Sequence, residues 1–150
     1  MLEMYDLNDA FHIIKESKTE VYYYLFEEYE IHLNKILPHT IQKWHYHSKI
    51  EEVILVIKGK IKCLWFENEH MHCQTIYEKQ LVLVKQSIHT LKNDSDEDCE
   101  FFVFRLVLDG KNKRNIMEND KIIIEHDNEI FNSALFDADK AGKINSSKID

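Results

Sequence analysis

Short apolar and aromatic runs of five to eight residues repeat along the chain from about residue 19 to residue 125. Runs of this length, separated by polar turns, are typical of β-strands rather than helices. Strands are predicted at residues 19–26, 28–36, 40–47, 52–58, 61–67, 72–78, 80–85, 88–92, 99–108 and 120–125. Many short strands at this spacing favour an antiparallel sandwich or barrel, so the predicted fold class is all-β.

Two local signals add detail at the start and middle of the chain. The segment LNDAFHIIKES predicts a short N-terminal helix, with Asn8 or Asp9 as its cap. Gly59 lies between VILVIK and KIKCLWF and predicts a tight hairpin, because glycine readily adopts the positive φ that such turns need.

The strand pattern fades after about residue 126. We therefore expect one β-barrel domain over residues 1–126 and a partly mobile C-terminal extension over residues 127–150. Phe131, Leu135 and Phe136 are the apolar residues with which the extension could dock on the barrel or on a neighbouring molecule.

Charge and cysteine content narrow the classes of partner. The 150-residue chain has a net charge of -8 and its 19 basic residues are scattered, so neither nucleic acid nor an anionic membrane is an expected partner. No apolar run approaches the ~20 residues that span a bilayer, and the N-terminus has no secretion-signal pattern. Cys63, Cys73 and Cys99 form no C-x-x-C pair, so reduced thiols in a cytoplasmic protein are expected.

The predicted strand over residues 52–58 is apolar on both faces. Ile54 and Val56 lie on one face, and Val53, Leu55 and Ile57 on the other. One face packs against the barrel interior. The other apolar face would have to be buried against a second sheet or a second subunit. A homodimer is therefore expected.

The candidate chemistry centres on three histidines and one glutamate. His45 and His47 are two residues apart in a strand, so both imidazoles project from the same face. A turn after His47 would return the next strand alongside and bring in Glu52, and His89 could supply a third nitrogen. This donor set suits one divalent ion of Fe, Mn, Ni, Cu or Zn and leaves positions open for water or substrate.

Alternatives exist for several of these residues. Glu51 would replace Glu52 if the strand register shifted by one residue. A second H-x-H, His70 to His72 with Cys73 adjacent, follows a polar turn and is interpreted as a solvated hairpin. His39 is either a surface residue or a substrate contact at the barrel mouth.

The spacing His45-x-His47-x4-Glu52-x6-Gly59 resembles the first signature motif of the cupin superfamily. His89-x3-Asn93 resembles the closing half of the second cupin motif. The resemblance covers roughly residues 35–108, about half of the chain. It implies a double-stranded β-helix, the cupin-type jelly-roll barrel, with a metal near one open end.

The sequence departs from the cupin pattern around these motifs. Val84, Gln86 and Glu78 stand where the second motif usually has a proline and two glycines, and His39 stands where the first motif has a glycine. Because glycine and proline shape the loop that aims the third histidine, the departure bears on the placement of His89.

The cupin resemblance implies several functions, since the superfamily includes dioxygenases, decarboxylases, isomerases, storage proteins and sensor domains. A metal-dependent, dioxygenase-like enzyme acting on a small organic molecule is the leading hypothesis. A non-catalytic, metal-containing module that binds or senses a small ligand is the second, and a structural barrel without metal is the third.

Strand parity predicts which other side chains line the barrel interior. The candidates are Lys43, Ile54, Val56, Phe102 or Phe101, Phe104 or Val103, and Arg105, whereas Trp44 and Tyr46 are expected to point outward. An apolar cavity with one anion-binding group would suit a small organic acid or an aromatic compound.

Overall fold

The computed structural model describes residues 1–107 and 113–124, which form two antiparallel β-sheets and one short helix. The strands are β1 Phe11–Ile14, β2 Glu20–Leu25, β3 Tyr29–Ile36, β4 Thr40–Ile41, β5 His45–His47, β6 Ile50–Lys58, β7 Lys60–Glu67, β8 His70–Tyr77, β9 Leu81–Leu83, β10 Ile88–Asn93, β11 Cys99–Val107 and β12 Lys121–Ile123, and the helix is α1 Lys113–Asn119. The all-β prediction is confirmed, with the predicted strand 40–47 divided into β4 and β5.

The two sheets have six and five strands in their main order. The first sheet runs β1-β2-β3-β11-β6-β9, and the second runs β12-β5-β10-β7-β8, with β4 also paired to β10. Neighbours in each sheet are often far apart in sequence, as for β11 between β3 and β6. The fold therefore depends on long-range pairing rather than on a series of local hairpins.

The main hydrophobic core lies between the sheets. Its buried members come from strands of both sheets: Ile36, Ile54, Val56, Ile61, Cys63, Ile76, Val84, Leu91, Cys99, Phe101 and Val103. Burying side chains of this size stabilises a fold by about 1.5–3 kcal/mol each. The core leaves one end of the inter-sheet space to polar side chains.

The N-terminal helix prediction is wrong. Asp6 and Asp9 instead hold a turn, in which the Asp9 carboxylate accepts a hydrogen bond from the Asp6 N–H at 2.8 Å. β1 follows and pairs with β2, setting Phe11 opposite Tyr23 and Ile13 opposite Val21. Acidic side chains that bond locally favour turns as readily as helix caps, and the β-branched and aromatic residues that follow gain cross-strand contacts.

Gly59 makes the tight turn that the sequence predicts, at φ +77°, and an added Cβ would lie 2.8 Å from the main-chain oxygen of Asp98. The strands on either side do not form a hairpin, however. β6 pairs with β11 and β9 in the first sheet, whereas β7 pairs with β10 and β8 in the second. Gly59 is thus a corner at which the chain crosses between sheets.

The C-terminal part of the chain bears on several expectations. The extension over 127–150, with Phe131, Leu135 and Phe136, lies outside the described residues. α1, which the strand pattern did not predict, precedes β12. Within residues 1–107 and 113–124, no helix is long and apolar enough to cross a membrane.

Candidate metal centre

Three strands bring the predicted ligands together at the polar end of the inter-sheet space. β5 carries His45 and His47, and β10 places His89 directly opposite His45 in the second sheet. β6 belongs to the first sheet and carries Glu52 across from them. All four side chains are buried. Strand pairing brings together His45 and His89, which are more than forty residues apart, and the packing of the two sheets adds Glu52.

The turn between β5 and β6 fixes Glu52 relative to His47. Asp120, between α1 and β12, accepts hydrogen bonds from the Ser48 hydroxyl at 2.6 Å and from the N–H groups of Lys49 and Ile50 at 2.7 and 3.0 Å. Partial burial opposes ionisation of Asp120, but these donors hold the pKa of its carboxyl below the usual value. Asp120 therefore braces the turn that aligns the ligand-bearing strands.

The metal-binding atoms of His45, Glu52 and His89 form a compact cluster. They all lie within 4.8 Å of one another, and no other such group occurs in the described part of the chain. The Nε2 of His89 is 3.6 Å from Oε1 of Glu52. The rings of His45 and His89 are 4.4 Å apart between centroids.

Main-chain carbonyls set the tautomers of two of the rings. His45 donates from Nδ1 to the Lys43 oxygen at 2.8 Å, and His89 donates from Nδ1 to the Ser87 oxygen at 2.9 Å. Each neutral ring therefore presents the lone pair of Nε2. Burial, with Lys121 and His89 nearby, lowers the pKa of His45 to about 2 and keeps it neutral. Such second-sphere bonds are typical of metal-ligating histidines.

His47 has different partners from the other two histidines. Its Nδ1 lies 3.3 Å from Nη2 of Arg105, and since arginine can only donate, this nitrogen accepts. The neutral ring then carries its hydrogen on Nε2, which faces Oε2 of Glu52 at 3.3 Å. In this arrangement His47 lies beside the cluster as a partner of Glu52.

The electrostatics favour an ionised carboxylate at the centre. Burial opposes the charge of Glu52, but His47 and Arg105 hold its pKa well below the usual range. The buried Nε2 of His89 has no hydrogen-bond partner among the described residues. Nitrogen lone pairs converging with a carboxylate in a buried site suit a divalent transition metal.

The alternatives are resolved by burial and register. Glu52 is buried, whereas Glu51 lies opposite Leu106 on the other face of β6. His39 is exposed and its Nε2 pairs with Asp96 at 2.9 Å, so it is a surface residue.

The second H-x-H lies on an edge strand. His70 is exposed beside the β7–β8 turn, and the ring of His72 stacks on Trp65 with centroids 5.3 Å apart. His70, His72 and Cys73 belong to no metal-binding group among the described residues.

The parity predictions are largely confirmed. Ile54, Val56, Phe101, Val103 and Arg105 face the interior. Phe104 is partly exposed on the opposite face of β11, and the Nζ of Lys43 pairs with Glu16 at 3.0 Å outside the inner cavity.

Sequence reasoning missed part of the site. β3 buries Glu30, His32 and Asn34, and half-exposes the apolar residues between them. The Nε2 of His32 lies 2.7 Å from Oε2 of Glu30, and Arg105 Nη1 lies 3.3 Å from the same oxygen. Burial is the main cause that lowers the pKa of His32. A strand with apolar residues at alternate positions normally buries those, so the pattern alone points the wrong way.

The fold has clear relatives among solved structures, although no family model and no curated protein matches the sequence. The S161A mutant of oxalate decarboxylase from Bacillus subtilis aligns at TM-score 0.58 and 19% identity, over 69% of this chain and 31% of that chain. A cupin-superfamily sugar phosphate isomerase from Silicibacter pomeroyi aligns at 0.55 and 13%, over 69% and 75%. A Cupin 2 conserved barrel domain protein from Salinispora arenicola aligns at 0.59 and 12%, over 79% and 98%.

The chain has the cupin fold. The predicted jelly-roll barrel is thereby confirmed, without its N-terminal helix. The chain spans about a third of the length of the decarboxylase, so the cupin likeness concerns the barrel and not that whole protein.

The structure shows how the cupin fold tolerates the missing glycines. His39, at the position of the first-motif glycine, has φ 55°. In the second-motif loop, Lys79 and Lys85 adopt φ 66° and 55°, next to the two replaced glycine positions. Non-glycine residues pay a steric cost there. The loop nevertheless delivers His89 to β10 opposite His45.

Proposed function

We propose that the barrel binds one divalent metal ion through His45, His47, Glu52 and His89. The observation that carries this proposal is the buried Nε2 of His89, which has no hydrogen-bond partner in the described part of the chain and faces Glu52 while its Nδ1 donates to a carbonyl. Burying such a nitrogen without a partner costs free energy that a metal ion would recover. His45 has the same tautomer and adds a second lone pair.

The four ligands are not equivalent in this proposal. His45, Glu52 and His89 form the compact set, whereas His47 joins it only after giving up the hydrogen on Nε2. Arg105, held by Glu30, would continue to balance the charge of Glu52. We therefore expect His47 to be the weakest of the four ligands.

We further propose that the bound metal serves a reaction on a small organic molecule, of the dioxygenase type. When bound, Fe, Mn, Ni, Cu or Zn would supply a Lewis acid, and a redox-active ion would also activate oxygen. Two of the structurally similar proteins are named as a decarboxylase and an isomerase, which supports an enzyme. Fold alone does not select the reaction.

The chain's own side chains would bind and orient the substrate. Leu91, Phe101 and Val103 form an apolar wall beside the metal-binding atoms and would exclude water from them. The Nδ1 bonds to Lys43 and Ser87 hold the rings of His45 and His89 in place. These features would fix the geometry that a metal-dependent reaction needs.

A metal-containing binding module without turnover is the second candidate. It is favoured by one observation: His32 also lines the cavity, but its Nε2 already bonds to Glu30, so this nitrogen is not available as a base. Under this candidate, a ligand would raise the melting temperature of the metal-loaded protein without being converted.

Elemental analysis of protein purified without an affinity tag tests the proposal. About one equivalent of transition metal is expected in the wild type and none in His89→Ala, while the matched control His72→Ala keeps its metal. No metal in the wild type after reconstitution with each ion would overturn the site. Oxygen uptake and product analysis on the loaded protein then separate enzyme from binding module.

We also propose a cytoplasmic homodimer. The first sheet leaves apolar side chains partly exposed on its outer face, among them Ile57, Leu83 and Phe104. Cys63, Cys73 and Cys99 are free thiols, as in proteins of reducing compartments. Light scattering should give twice the monomer mass, and Phe104→Lys should shift it to the monomer.

A further inference from the structure

A small cavity of about 90 Å³ lies against the histidine and glutamate cluster. Besides the apolar wall, its lining includes Lys15, Asn34, Arg105 and Lys121. Each of these four side chains can donate a hydrogen bond, and among the described residues Glu52 is the only carboxylate in the lining. Because the cavity lining has more cations and hydrogen-bond donors than carboxylates, it suits a ligand that carries negative charge and hydrogen-bond acceptors.

One of these donors is buried without an acceptor among the described residues, and a second has only a long ion pair. The Nδ2 of Asn34 is inaccessible to solvent and has no hydrogen-bond partner, and the equally inaccessible Nε of Arg105 lies 3.4 Å from Oε2 of Glu52. Both residues are more than nine-tenths buried. Asn34 lies on β3 directly opposite Phe101 of β11, the strand that also carries Arg105. Arg105 lies opposite Glu30, four residues further along β11, so an acceptor in the cavity beside Asn34 would satisfy the Nδ2 of Asn34.

The cations around the cavity repel one another. Burial lowers the pKa of Lys15, Glu52 opposes this effect, and Arg105 adds to it. Although much of the Lys121 side chain is exposed, burial of its ammonium group and the nearby Lys15 lower its pKa to about 8. A bound anion would relieve this repulsion, and a divalent metal beside it would increase the attraction.

The two lysines mark the entrance to the cavity. An outer groove of about 270 Å³ is lined by Lys15, Gln42 and Lys121, which also line the inner cavity, and by Lys43 and Glu16. A ligand entering from this groove passes the ammonium groups before it reaches Asn34 and Arg105. The inner cavity is small, so a ligand that reaches Asn34 and Arg105 must also be small.

We propose that the cavity binds a small dicarboxylate, with one carboxylate at Asn34 and the other at Lys15 and Lys121. The amide of Asn34 would donate to a carboxylate oxygen, the guanidinium of Arg105 adds positive charge to the lining, and the lysines act as point charges at the entrance. The proposal deepens the proposed function by naming the substrate class. Asn34, Lys15 and Lys121 are not among the four proposed metal ligands, whereas Arg105 contacts two of those ligands, His47 and Glu52.

Isothermal titration of the full chain, as purified and after metal removal, tests this site. Malonate is expected to bind both forms, and malonamide, which has the same size but no charge, should bind neither. The double variant Lys15→Gln/Lys121→Gln should weaken malonate binding at least tenfold, while Lys35→Gln, on β3 and paired with Asp98, leaves it unchanged. Lys121→Gln alone, at an exposed position, should show part of the loss and provides the test if the double variant fails to fold.

Three results would overturn the inference. These are equal binding of malonamide, binding of phosphate as tight as that of malonate, and an unchanged affinity in the folded lysine variants. Metal content measured on the same samples separates the two proposals. If the protein binds malonate but never binds metal, the anion site is supported and the metal site is overturned. If it binds metal but not malonate, the metal site is supported and the anion site is overturned.

Discussion

The chain contains two H-x-H sequences on the same sheet, and only one of them is part of a candidate metal centre. His45 and His47 lie on β5, and His70 and His72 lie on β8. His72 even shares a cross-strand row with the centre, because it lies opposite Trp65, which lies opposite His89. Identical spacing on one sheet thus gives two different environments.

The difference comes from what surrounds each pair. The β5 pair faces Glu52 from the other sheet and is buried. The β8 pair lies at the sheet edge, where Trp65 stacks on His72 and separates it from His89. With strands ~4.8 Å apart, His72 is two strands, or roughly 10 Å, from His89. To bind a metal, an H-x-H pair must lie on a strand inside the sheet and must face a carboxylate. The spacing of the two histidines in the sequence specifies neither condition.

The largest expected effect is on metal content. Glu52→Gln keeps the size of the side chain but removes the charge, so bound metal should fall from about one equivalent to none. Elemental analysis measures this loss, and His70→Ala on the other pair serves as the matched control. Metal retained in Glu52→Gln but lost in His70→Ala would reverse the comparison between the pairs.

A smaller loss is expected at His47. Because His47 interacts with Arg105 and Glu52 rather than completing the compact set, His47→Ala should weaken metal binding by roughly 10–100-fold without abolishing it. Competition with a chromophoric chelator gives the affinity. A loss as complete as that in His89→Ala would make His47 an equal ligand.

Acid stability should also separate the pairs in metal-free protein. The pKa of His45 is lowered to about 2, against ~6.5 in an unfolded chain. Between these values the unfolded state binds more protons, so the free energy of unfolding falls as pH drops below ~6.5. His45→Gln should flatten this dependence in urea titrations from pH 7 to 4, and His72→Gln should not. Equal slopes in His45→Gln and the wild type would contradict the buried, neutral state of His45.

The smallest expected effect is on stability at the second pair. His72→Ala removes a ring stacked on Trp65 and should cost about 0.5–1.5 kcal/mol in urea unfolding. His70→Ala, at an exposed position, should change stability by less than about 0.5 kcal/mol. A larger cost at His70 would mean that the β7–β8 turn depends on it.

Strand periodicity predicted the barrel, and ligand spacing identified the residues that converge. Strand periodicity and ligand spacing are patterns among residues that are close together in the sequence. A single sequence is therefore enough to detect them. The cross-over at Gly59 was not predictable, because a tight turn looks the same whether the next strand pairs with the previous one or joins the other sheet. Nor did the turn residues Asp6 and Asp9 distinguish a turn from a helix cap.

The polar half of the cavity was hidden for a different reason. The side chains of His32 and Asn34 on β3 face the interior. The alternation of the apolar residues Ile31 and Leu33 would instead place the other face of this strand inward. Lys15 reaches the cavity from just after β1 and Lys121 from β12, near opposite ends of the described chain, and only the fold brings them together. Burial of polar residues depends on partners that are distant in sequence, which periodicity does not report.

X-ray absorption spectroscopy of the zinc-reconstituted chain tests the central claim most directly, because it reports the atoms bound to the metal. We expect only nitrogen and oxygen neighbours at about 2.0–2.2 Å, with imidazole scattering, since the centre contains histidines and a glutamate. A sulfur neighbour at about 2.3 Å would contradict the account, because it would place the metal at His70, His72 and Cys73 instead.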